Sequence, residues 1–176
     1  MRLETKRLLI RPFTAADFPD LWEILGDPAA MEHMASYTRE EAEALLRTFC
    51  LEREPPGACA AVLRDTGKVI GWLLCNEVDS PGIYELGWIF NRACWRRGYA
   101  FEAGSALMDH LFRVRGAHKV AAETMDEERC LPLLEKLGLR REGVFRRHCR
   151  SRSGQWRDLY WYGLLEEDYL AERGQS

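Results

Sequence analysis

The centre of the chain contains three short apolar runs that are separated by turn signals. Residues 58–65 and 68–78 are mainly apolar, and Thr66-Gly67 between them suits a short hairpin turn. Residues 83–91 form a third run of the same kind after a second turn. Neighbouring strands that are joined by such short turns pair antiparallel. The sequence therefore predicts a three-stranded meander, which limits the chain to folds that contain a sheet.

Helical and extended patterns alternate on both sides of this meander. The predicted elements are strands at 7–13, 118–125, 142–151 and 155–169, and helices at 14–25, 38–54, 99–115 and 131–138. Thr38 and Glu41 have the spacing of a capping box, and Pro132 suits the first turn of the last helix. The 176 residues contain no linker and no repeat. We therefore expect one mixed α/β (α+β) domain that spans 1–176.

The composition excludes several classes of protein. The chain is 47% hydrophobic and 30% charged with a net charge of −3, which is typical of a globular protein and not of a general polyanion binder. Its six cysteines form no C-x-x-C pair and its four histidines no H-E-x-x-H motif, so we expect no metal site. No apolar run reaches the length of a membrane helix, and the first residues lack the apolar core of a signal sequence. Free thiols then suit a cytoplasmic protein.

Positive charge is concentrated in the last quarter of the chain. Residues 140–157 contain seven arginines and one acid, Glu142. This pattern fits a solvated pair of strands, or a surface that attracts an acidic ligand or partner. Because the segment has no nucleic-acid-binding motif, a ribosome- or RNA-associated function ranks last among the candidates.

Two arginines and a glycine stand where the helix at 99–115 begins. A helix start already carries partial positive charge, so Arg96 and Arg97 are unfavourable there unless an anion lies between them. Gly98 has no Cβ and lets the main chain approach a ligand closely. The N–H groups of residues 96–100 can then converge on a phosphate, although a plain turn has the same spacing. The segment matches neither the phosphate loop of NTPases nor the three-glycine dinucleotide motif.

Two motifs in the second half of the chain resemble a known family. The run WRRGYAFEA at 95–103 and the run LLEKLGLRREG at 133–143 are similar to paired motifs of the GNAT superfamily of N-acetyltransferases. Within it they resemble the branch of ribosomal-protein N-terminal acetyltransferases, the RimJ/RimL type. The opening ETKRLLIRPFTAADFPDLWEIL and the closing QWRDLYWYGLLEEDY also resemble that branch, so the similarity covers nearly the whole chain.

The resemblance implies a fold, a co-substrate and its site. The fold would be a mixed, mostly antiparallel sheet of about six to seven strands flanked by about four helices, and the acyl donor would be acetyl-coenzyme A. Its pyrophosphate would be held by the N–H groups of Arg96, Arg97, Gly98, Tyr99 and Ala100. Its pantetheine arm would pair with Trp88, Ile89 and Phe90, beside a bulge or close approach that Gly87 permits. The acetyl group would lie where this strand separates from the strand at 118–125.

Direct attack of a neutral amine on the thioester needs a base and an acid, but no covalent enzyme intermediate. Glu85 is the predicted base, and an ordinary exposed strand carboxylate is the other interpretation of this residue. Weaker candidates for the base are Glu77, Asp79, Glu123 and a water chain. The family usually has N-x-x-S before its last helix, but here Glu127 stands at the Asn position and Cys130 at the Ser position. Cys130 is the predicted partner of the leaving thiolate, and a buried structural thiol is the alternative.

The resemblance implies a primary amine as the acceptor, on a protein N-terminus or on a small molecule. The loops at 26–37 and 76–82 and the final strand pair would select it. Four tryptophans either line this acceptor cleft or belong to the core: Trp88, Trp95, Trp156 and Trp161. A homodimer is compatible with the aromatic-rich edge strands. The altered positions 127 and 130 motivate an alternative function, a regulatory module that binds acyl-coenzyme A without turnover.

Overall fold

An eight-stranded sheet forms the centre of the protein. The computed structural model describes residues 1–32, 37–78, 80–151 and 154–173. Within these ranges the strands are β1 (Leu3–Glu4), β2 (Leu8–Pro12), β3 (Ala58–Leu63), β4 (Val69–Glu77), β5 (Ile83–Phe90), β6 (Lys119–Thr124), β7 (Arg140–Arg150) and β8 (Trp156–Leu165). Their order in the sheet is β1-β2-β3-β4-β5-β6-β8-β7. All neighbours pair antiparallel except β5 and β6, which are parallel.

Helices cover both faces of the sheet. The α-helices are α1 (Phe18–Leu25), α2 (Arg39–Leu45), α3 (Tyr99–Arg113), α4 (Glu127–Lys136) and α5 (Glu166–Arg173). On one face Leu21 of α1 packs in a cluster with Trp72 of β4. On the other face Leu107 of α3 and Leu134 of α4 pack with Leu86 of β5. In the described part of the chain, no helix is both long and apolar enough to cross a bilayer.

The predicted fold class is confirmed, with one strand and one helix more than expected. The additional strand is the two-residue β1, which pairs with β2. The additional helix arises because the run at 155–169, predicted as one strand, leaves the sheet after Leu165. Glu166, Glu167 and Asp168 fill the first turn of α5, where acids are stabilised by the helix dipole.

The second and fourth helices differ from the prediction at their ends. The capping box before α2 is confirmed, since the Thr38 N–H donates to Glu41 Oε2 over 2.7 Å. Beyond α2 the chain continues as a π-helical stretch over Leu46–Leu51. The prediction for α4 is wrong by one turn, because Asp126 accepts a hydrogen bond from the N–H of Arg129 and starts the helix earlier. Pro132 therefore lies inside α4 and not in its first turn.

The parallel pair β5–β6 is short, and this determines where a ligand can enter. The strands are in register from Ile83 opposite Lys119 to Glu85 opposite Ala121. After these three pairs β5 continues to Phe90 along β4, and β6 continues along β8. The two strands therefore separate beyond Glu85, and a gap opens in the middle of the sheet.

Candidate active site

A cavity of about 660 Å³ fills the gap between β5 and β6. Its wall is formed by residues 86–90 of β5, residues 123–126 at the end of β6, the loop before α3, the first turn of α3, and one side of α4. This volume lies within the range of small-molecule sites in proteins, about 300–1,000 Å³. The predicted separation of these two strands is thus a feature of the structure.

The loop before α3 has an unusual main-chain conformation. Arg96 has φ 61° and Gly98 has φ 79°, so both adopt the left-handed conformation. For an arginine this conformation is uncommon, and such residues persist where the surrounding structure requires them. The indole Nε1 of Trp95 fixes the start of the loop by donating to the carbonyl of Phe90 over 2.7 Å. Successive left- and right-handed residues curve the main chain into a concave surface that suits an anion.

The N–H groups at this helix start are available to a ligand. No main-chain carbonyl within the described ranges accepts a hydrogen bond from the N–H of residues 96–100. Four of these five residues line the cavity: Arg96, Gly98, Tyr99 and Ala100. Arg97 does not, and its carbonyl accepts a hydrogen bond from Arg7 Nη1 over 2.9 Å. The loop can therefore offer several donors to one phosphate group at the start of α3.

A hydrogen-bond network from the turn between β1 and β2 holds this loop in place. Glu102, in the first turn of α3, accepts hydrogen bonds from Thr5 Oγ1 at 2.6 Å, the Arg7 N–H at 2.7 Å and Arg7 Nε at 2.6 Å. The Arg7 guanidinium also lies 4.2 Å above the ring of Tyr99. Burial alone would raise the pKa of Glu102, but the hydrogen bonds from Thr5 and Arg7 and the positive charge of Arg7 lower it. The charged form of Glu102 is therefore the one that the fold stabilises.

Three cations surround the mouth of the cavity: Arg96, Arg129 and Lys136. Arg129 lies over the ring of Trp95 at 5.5 Å and pairs with Glu32 at 3.1 Å. Lys136 lies 4.1 Å above the ring of Phe101. Arg129 also pairs with Asp126 at 3.1 Å, so two carboxylates balance its charge. Arg96 and Lys136 are therefore the cations that most favour a ligand with several negative charges.

The pairing of β5 with β4 decides which main-chain groups face the gap. Asn91 donates its N–H to the carbonyl of Ile70, so the alternation of an antiparallel pair directs Ile89 to β4 as well. The main-chain groups of Trp88 and Phe90 are then turned to the gap. The register passes Gly87 without a shift, so the predicted bulge is absent from this pair.

Gly87 instead marks a close approach, which was the other interpretation of this residue. A Cβ on Gly87 would lie 3.2 Å from the Cβ of Leu74 on β4, which is tighter than ordinary van der Waals contact. A larger residue here would push β5 away from β4, so the glycine keeps the wall of the cavity in position.

Two carboxylates lie on the same face of the sheet where β5 and β6 separate. Glu85 is the last residue of β5 in register with β6, and the cavity wall begins one residue later, at Leu86. Glu123 lies two residues beyond the partner of Glu85 and does line the cavity. Partial desolvation beside the cavity raises the pKa of Glu123, whose side chain is still exposed on its outer side, and the charge of His148 opposes that shift. Glu77 lies at the far end of β4, where it accepts a hydrogen bond from the N–H of Gly82. Asp79 lies outside the described residues.

Cys130 lines the cavity from the first turns of α4. Its Sγ accepts a hydrogen bond from Thr124 Oγ1 over 3.3 Å, and burial raises the pKa of its thiol. Cys130 therefore keeps its proton near neutral pH. Glu127, at the position of the family Asn, turns away from the gap, where it accepts hydrogen bonds from the Tyr162 hydroxyl at 2.5 Å and from Arg141 at 3.0 Å.

The cysteines of the chain are unpaired with one another. All six cysteines are free thiols. Among the residues that the structure describes, no group of histidine, cysteine and carboxylate side chains is arranged to hold a metal ion. Of the four tryptophans considered for the cleft, Trp88 and Trp95 line the cavity.

Sequence reasoning missed Arg7, Arg129 and Lys136. Arg7 contacts Glu102 across a separation of 95 residues, and no local pattern signals such a contact. Lys136 lies within the recognised run at 133–143 and Arg129 shortly before it, and their spacing of about two turns on one helix was the available signal.

Known proteins are similar to this chain in both sequence and fold. Residues 7–140 match the sequence profile of the family described as acetyltransferase (GNAT) domain. An uncharacterised N-acetyltransferase of Bacillus subtilis (strain 168), YnaD, is 31% identical over 174 residues, which cover 96% of this chain and 99% of that protein. A GNAT-family acetyltransferase from Bacillus anthracis superposes with a TM-score of 0.86 at 27% identity, over 95% of this chain and 99% of that one.

A more distant structure shares the fold alone. A ribosomal-protein-S5-alanine acetyltransferase from Vibrio fischeri superposes with a TM-score of 0.80 at 15% identity, over 96% of this chain and 98% of that one. At this identity the likeness carries no information about the acceptor. The RimJ/RimL-type branch therefore stays a prediction, whereas the profile match and the Bacillus relative confirm the wider family. The chain belongs to the GNAT acetyltransferase family, and its predicted class, an N-acetyltransferase, is confirmed.

Proposed function

We propose that the protein transfers the acetyl group of acetyl-coenzyme A to a primary amine by direct attack in a ternary complex. One observation carries the proposal: the gap between β5 and β6 opens directly onto a helix start whose N–H groups have no main-chain acceptor within the described residues. A long thioester with a diphosphate at one end fits this arrangement of a slot beside an anion site.

The diphosphate would be held at the start of α3. The N–H groups of residues 96–100 supply the donors, and Gly98 has no Cβ that would keep the phosphates at a distance. Arg96, Arg129 and Lys136 would add charge around the phosphates. Trp88 and Phe90 would pair their main chain with the pantetheine arm, while the main chain of Ile89 is engaged with β4 and contributes only to the wall.

The proposed reaction consists of one acyl transfer from sulfur to nitrogen and the proton transfers that accompany it. The amine nitrogen attacks the thioester carbonyl carbon, the C–S bond breaks, a base takes the proton from nitrogen, and the sulfur leaves as a thiolate that is then protonated. Glu123 is supported as the base by its place in the wall and its raised pKa. Glu85, at the point where β5 and β6 separate, is the alternative base. The protonated Cys130 would donate its proton to the leaving thiolate.

Two measurements test this proposal. Titration calorimetry with coenzyme A should show binding at one site per chain. Incubation with acetyl-coenzyme A and a panel of primary amines should release free thiol and add 42 Da to at least one amine, as an acetyl group replaces one hydrogen. Absence of both cofactor binding and thiol release would contradict the proposal.

A second candidate function is a module that binds acyl-coenzyme A without turnover. The observation that favours it is the pair of departures at α4, where a thiol replaces a better donor and Glu127 is engaged by Tyr162 and Arg141. Cofactor binding without acetylation of any amine would favour this alternative, and turnover would exclude it. A cytoplasmic location and a homodimer remain predictions.

A further inference from the structure

An exposed group of aromatic rings extends the cleft on the side away from the helix start. It consists of Phe145 and His148 of β7 and Trp161 of β8, and we call it the aromatic wall. Phe145 is 50% exposed. Its ring meets that of Trp161 edge-on at 6.5 Å and that of His148 at 5.4 Å between centroids. Single exposed apolar residues are ordinary, but a packed and uncovered aromatic group indicates a binding surface.

A bulge in β7 builds this wall. Phe145 is opposite Leu159 and Cys149 is opposite Arg157, so β7 has three residues where β8 has one. The extra length is taken up at Arg147, which has φ 49° and donates its N–H to Asp158 Oδ1 over 2.8 Å. Bulges redirect side chains and are frequent beside active sites. Here the bulge brings His148 back onto the ring of Phe145.

The wall is continuous with the cleft. Trp161 is the cross-strand partner of Glu123, so the two side chains share one face of the sheet. Leu159, two residues from Trp161 on the same face, lines the cavity together with Cys149 and Glu123. A molecule whose amine reaches Glu123 would therefore place its remaining part against Leu159 and the aromatic wall.

The charge around the wall limits what this remaining part can be. Residues 145–158 contain five arginines and one acid, Asp158, whose carboxylate is engaged by the bulge. This excess of positive charge repels a ligand with several ammonium groups. Two carboxylates line the cavity among the described residues, and Asp126 is engaged by Arg129 and by the start of α4. The carboxylate of Glu123, with apolar ring surface beside it, is therefore the favourable site for one ammonium group.

We propose that the aromatic wall binds the acceptor, and that this acceptor is a monoamine whose chain carries an apolar or aromatic group. The amine lies at Glu123, and the apolar group packs on Phe145, Trp161 and Leu159. Polyamines are excluded by the arginines of the hairpin. This inference rests on the proposed acetyl transfer, because it concerns the second substrate of the same cleft.

Steady-state kinetics of thiol release at saturating acetyl-coenzyme A test the proposal with four acceptors: phenethylamine, hexylamine, glycinamide and spermidine. We expect kcat/KM for phenethylamine and hexylamine to exceed that for glycinamide and spermidine by about tenfold or more, since burying an apolar group of this size changes discrimination by at least that factor. A preference for spermidine or glycinamide would overturn the proposal.

Substitution of Phe145 gives a second test that does not threaten folding, because the side chain is half exposed. In Phe145→Ala we expect KM for phenethylamine to rise about tenfold, with KM for acetyl-coenzyme A and for glycinamide unchanged. Phe145→Leu should recover part of the loss. The matched control is Val114→Ala, at an apolar residue that is 69% exposed after α3 and remote from the cleft, and it should leave all constants unchanged.

The outcomes separate this inference from the proposed function. If coenzyme A fails to bind in calorimetry and no amine is acetylated, the acetyl transfer itself is wrong. If coenzyme A binds and amines are acetylated, but Phe145→Ala changes no acceptor constant, the aromatic wall is not the acceptor site. If Phe145→Ala instead converts a dimer to a monomer in sedimentation without changing KM, a second copy of the chain covers the wall and the proposal is wrong.

Discussion

The two ends of the cleft are built in different ways. The proposed cofactor end consists mainly of main-chain N–H groups within one short segment, residues 96–100, and its shape follows from two left-handed residues, Arg96 and Gly98. The proposed acceptor end consists of side chains from β6, β7 and β8, with Glu123 and Trp161 brought together by strand pairing. The binding properties of the proposed cofactor end therefore depend on backbone conformation. Those of the proposed acceptor end depend on the identity of its side chains.

The largest effect should come from Gly98→Asp at the cofactor end. The substitution puts a side chain and a negative charge at a position with φ 79°, where the phosphates would lie. We expect the affinity for coenzyme A to fall by about 100-fold or more, because two lost charge-assisted hydrogen bonds of about 1.5–3 kcal/mol each already amount to that. Titration calorimetry measures the loss.

Gly67→Asp is the matched control for this substitution. Gly67 has φ 74° in the hairpin between β3 and β4, with open space around the position of a Cβ. The control carries the same change of charge and a similar conformational cost, but it should bind coenzyme A as the wild type does. Equal affinity in the Gly98→Asp variant would mean that the phosphates bind elsewhere.

The next effect concerns the acceptor end, where Glu123→Gln should lower kcat by about 100-fold, a usual contribution of a general base. The pKa of Glu123 is raised by burial, so its base form is lost as the pH falls through that raised value, at a higher pH than for an ordinary glutamate. The wild-type kcat should therefore decline on the acid side, and this decline should be absent from the variant.

Glu85→Gln provides the comparison within the same pH series. It should cost less activity than Glu123→Gln and should keep the acid-side decline of the wild type, because Glu85 lies one residue short of the cavity wall. A reversed order, with the pH dependence lost only in Glu85→Gln, would return the role of base to Glu85.

A smaller effect should follow from Arg7→Ala, which weakens the network behind the proposed cofactor end without touching the cavity. Glu102 would lose its Nε donor and the positive charge of Arg7, and the carbonyl of Arg97 would lose its Nη1 donor, while the N–H of residue 7 and Thr5 would still donate to Glu102. We therefore expect stability to fall by about 1–3 kcal/mol and the affinity for coenzyme A by about tenfold. Because the pKa of Glu102 is lowered in the fold, the wild-type network stabilises the protein above the ordinary pKa of glutamate and is lost as the pH falls through the lowered value.

Arg2→Ala is the control for Arg7→Ala. Arg2 pairs with Glu4 at 3.4 Å, but both side chains are more than half exposed, so this ion pair contributes little. Thermal unfolding with and without coenzyme A compares the two variants. An equal change in the unfolding temperature of both variants would mean that the Arg7–Glu102 network does not support the loop.

The smallest effect should come from position 130. A hydroxyl is a better hydrogen-bond donor than a thiol, so Cys130→Ser should raise kcat by about two- to fivefold, while Cys130→Ala should lower it by a similar factor. Thiol release at saturating concentrations of both substrates measures kcat. Identical rates in Cys130→Ser and Cys130→Ala would assign Cys130 to packing alone.

The helix start that lines the cavity could be located from the sequence because its signal is local, and its role as the cofactor end stays a proposal. The glycine, the arginines and the helix start lie within WRRGYAFEA. The strand before them is predicted by the apolar run at 83–91. The meander and the order of the main elements follow from such local patterns as well. The error at α4 is also local, because Asp126 caps the helix three residues ahead of Arg129 and starts it before the run that was recognised. The choice between a bulge and a close approach at Gly87 instead needed a tertiary contact, with Leu74 of the neighbouring strand β4.

For the proposed acceptor end, the sequence supplied Glu123, Trp161 and the final strand pair as candidates, but not their contacts, because these residues meet only through pairing across long separations. Glu123 and Trp161 are 38 positions apart and become neighbours in the β6–β8 register. The left-handed residue of the bulge is Arg147 and not a glycine, so the sequence does not signal the bulge. The contact of His148 with Phe145 therefore could not be predicted. The network of Arg7 and Glu102 was invisible for the same reason.

The brevity of the β5–β6 pairing has a mechanical consequence. Only the short pairing of β5 with β6, three residues in register, joins strands β1–β5 to strands β6, β8 and β7 in the sheet. We therefore expect the sheet to open first at this pairing. A thioester arm hydrogen-bonded to Trp88 would lengthen this pairing and act as a substitute strand. Amide hydrogen exchange at Trp88 and Phe90 should therefore slow when coenzyme A is bound, and the two halves of the sheet should then unfold together rather than one after the other.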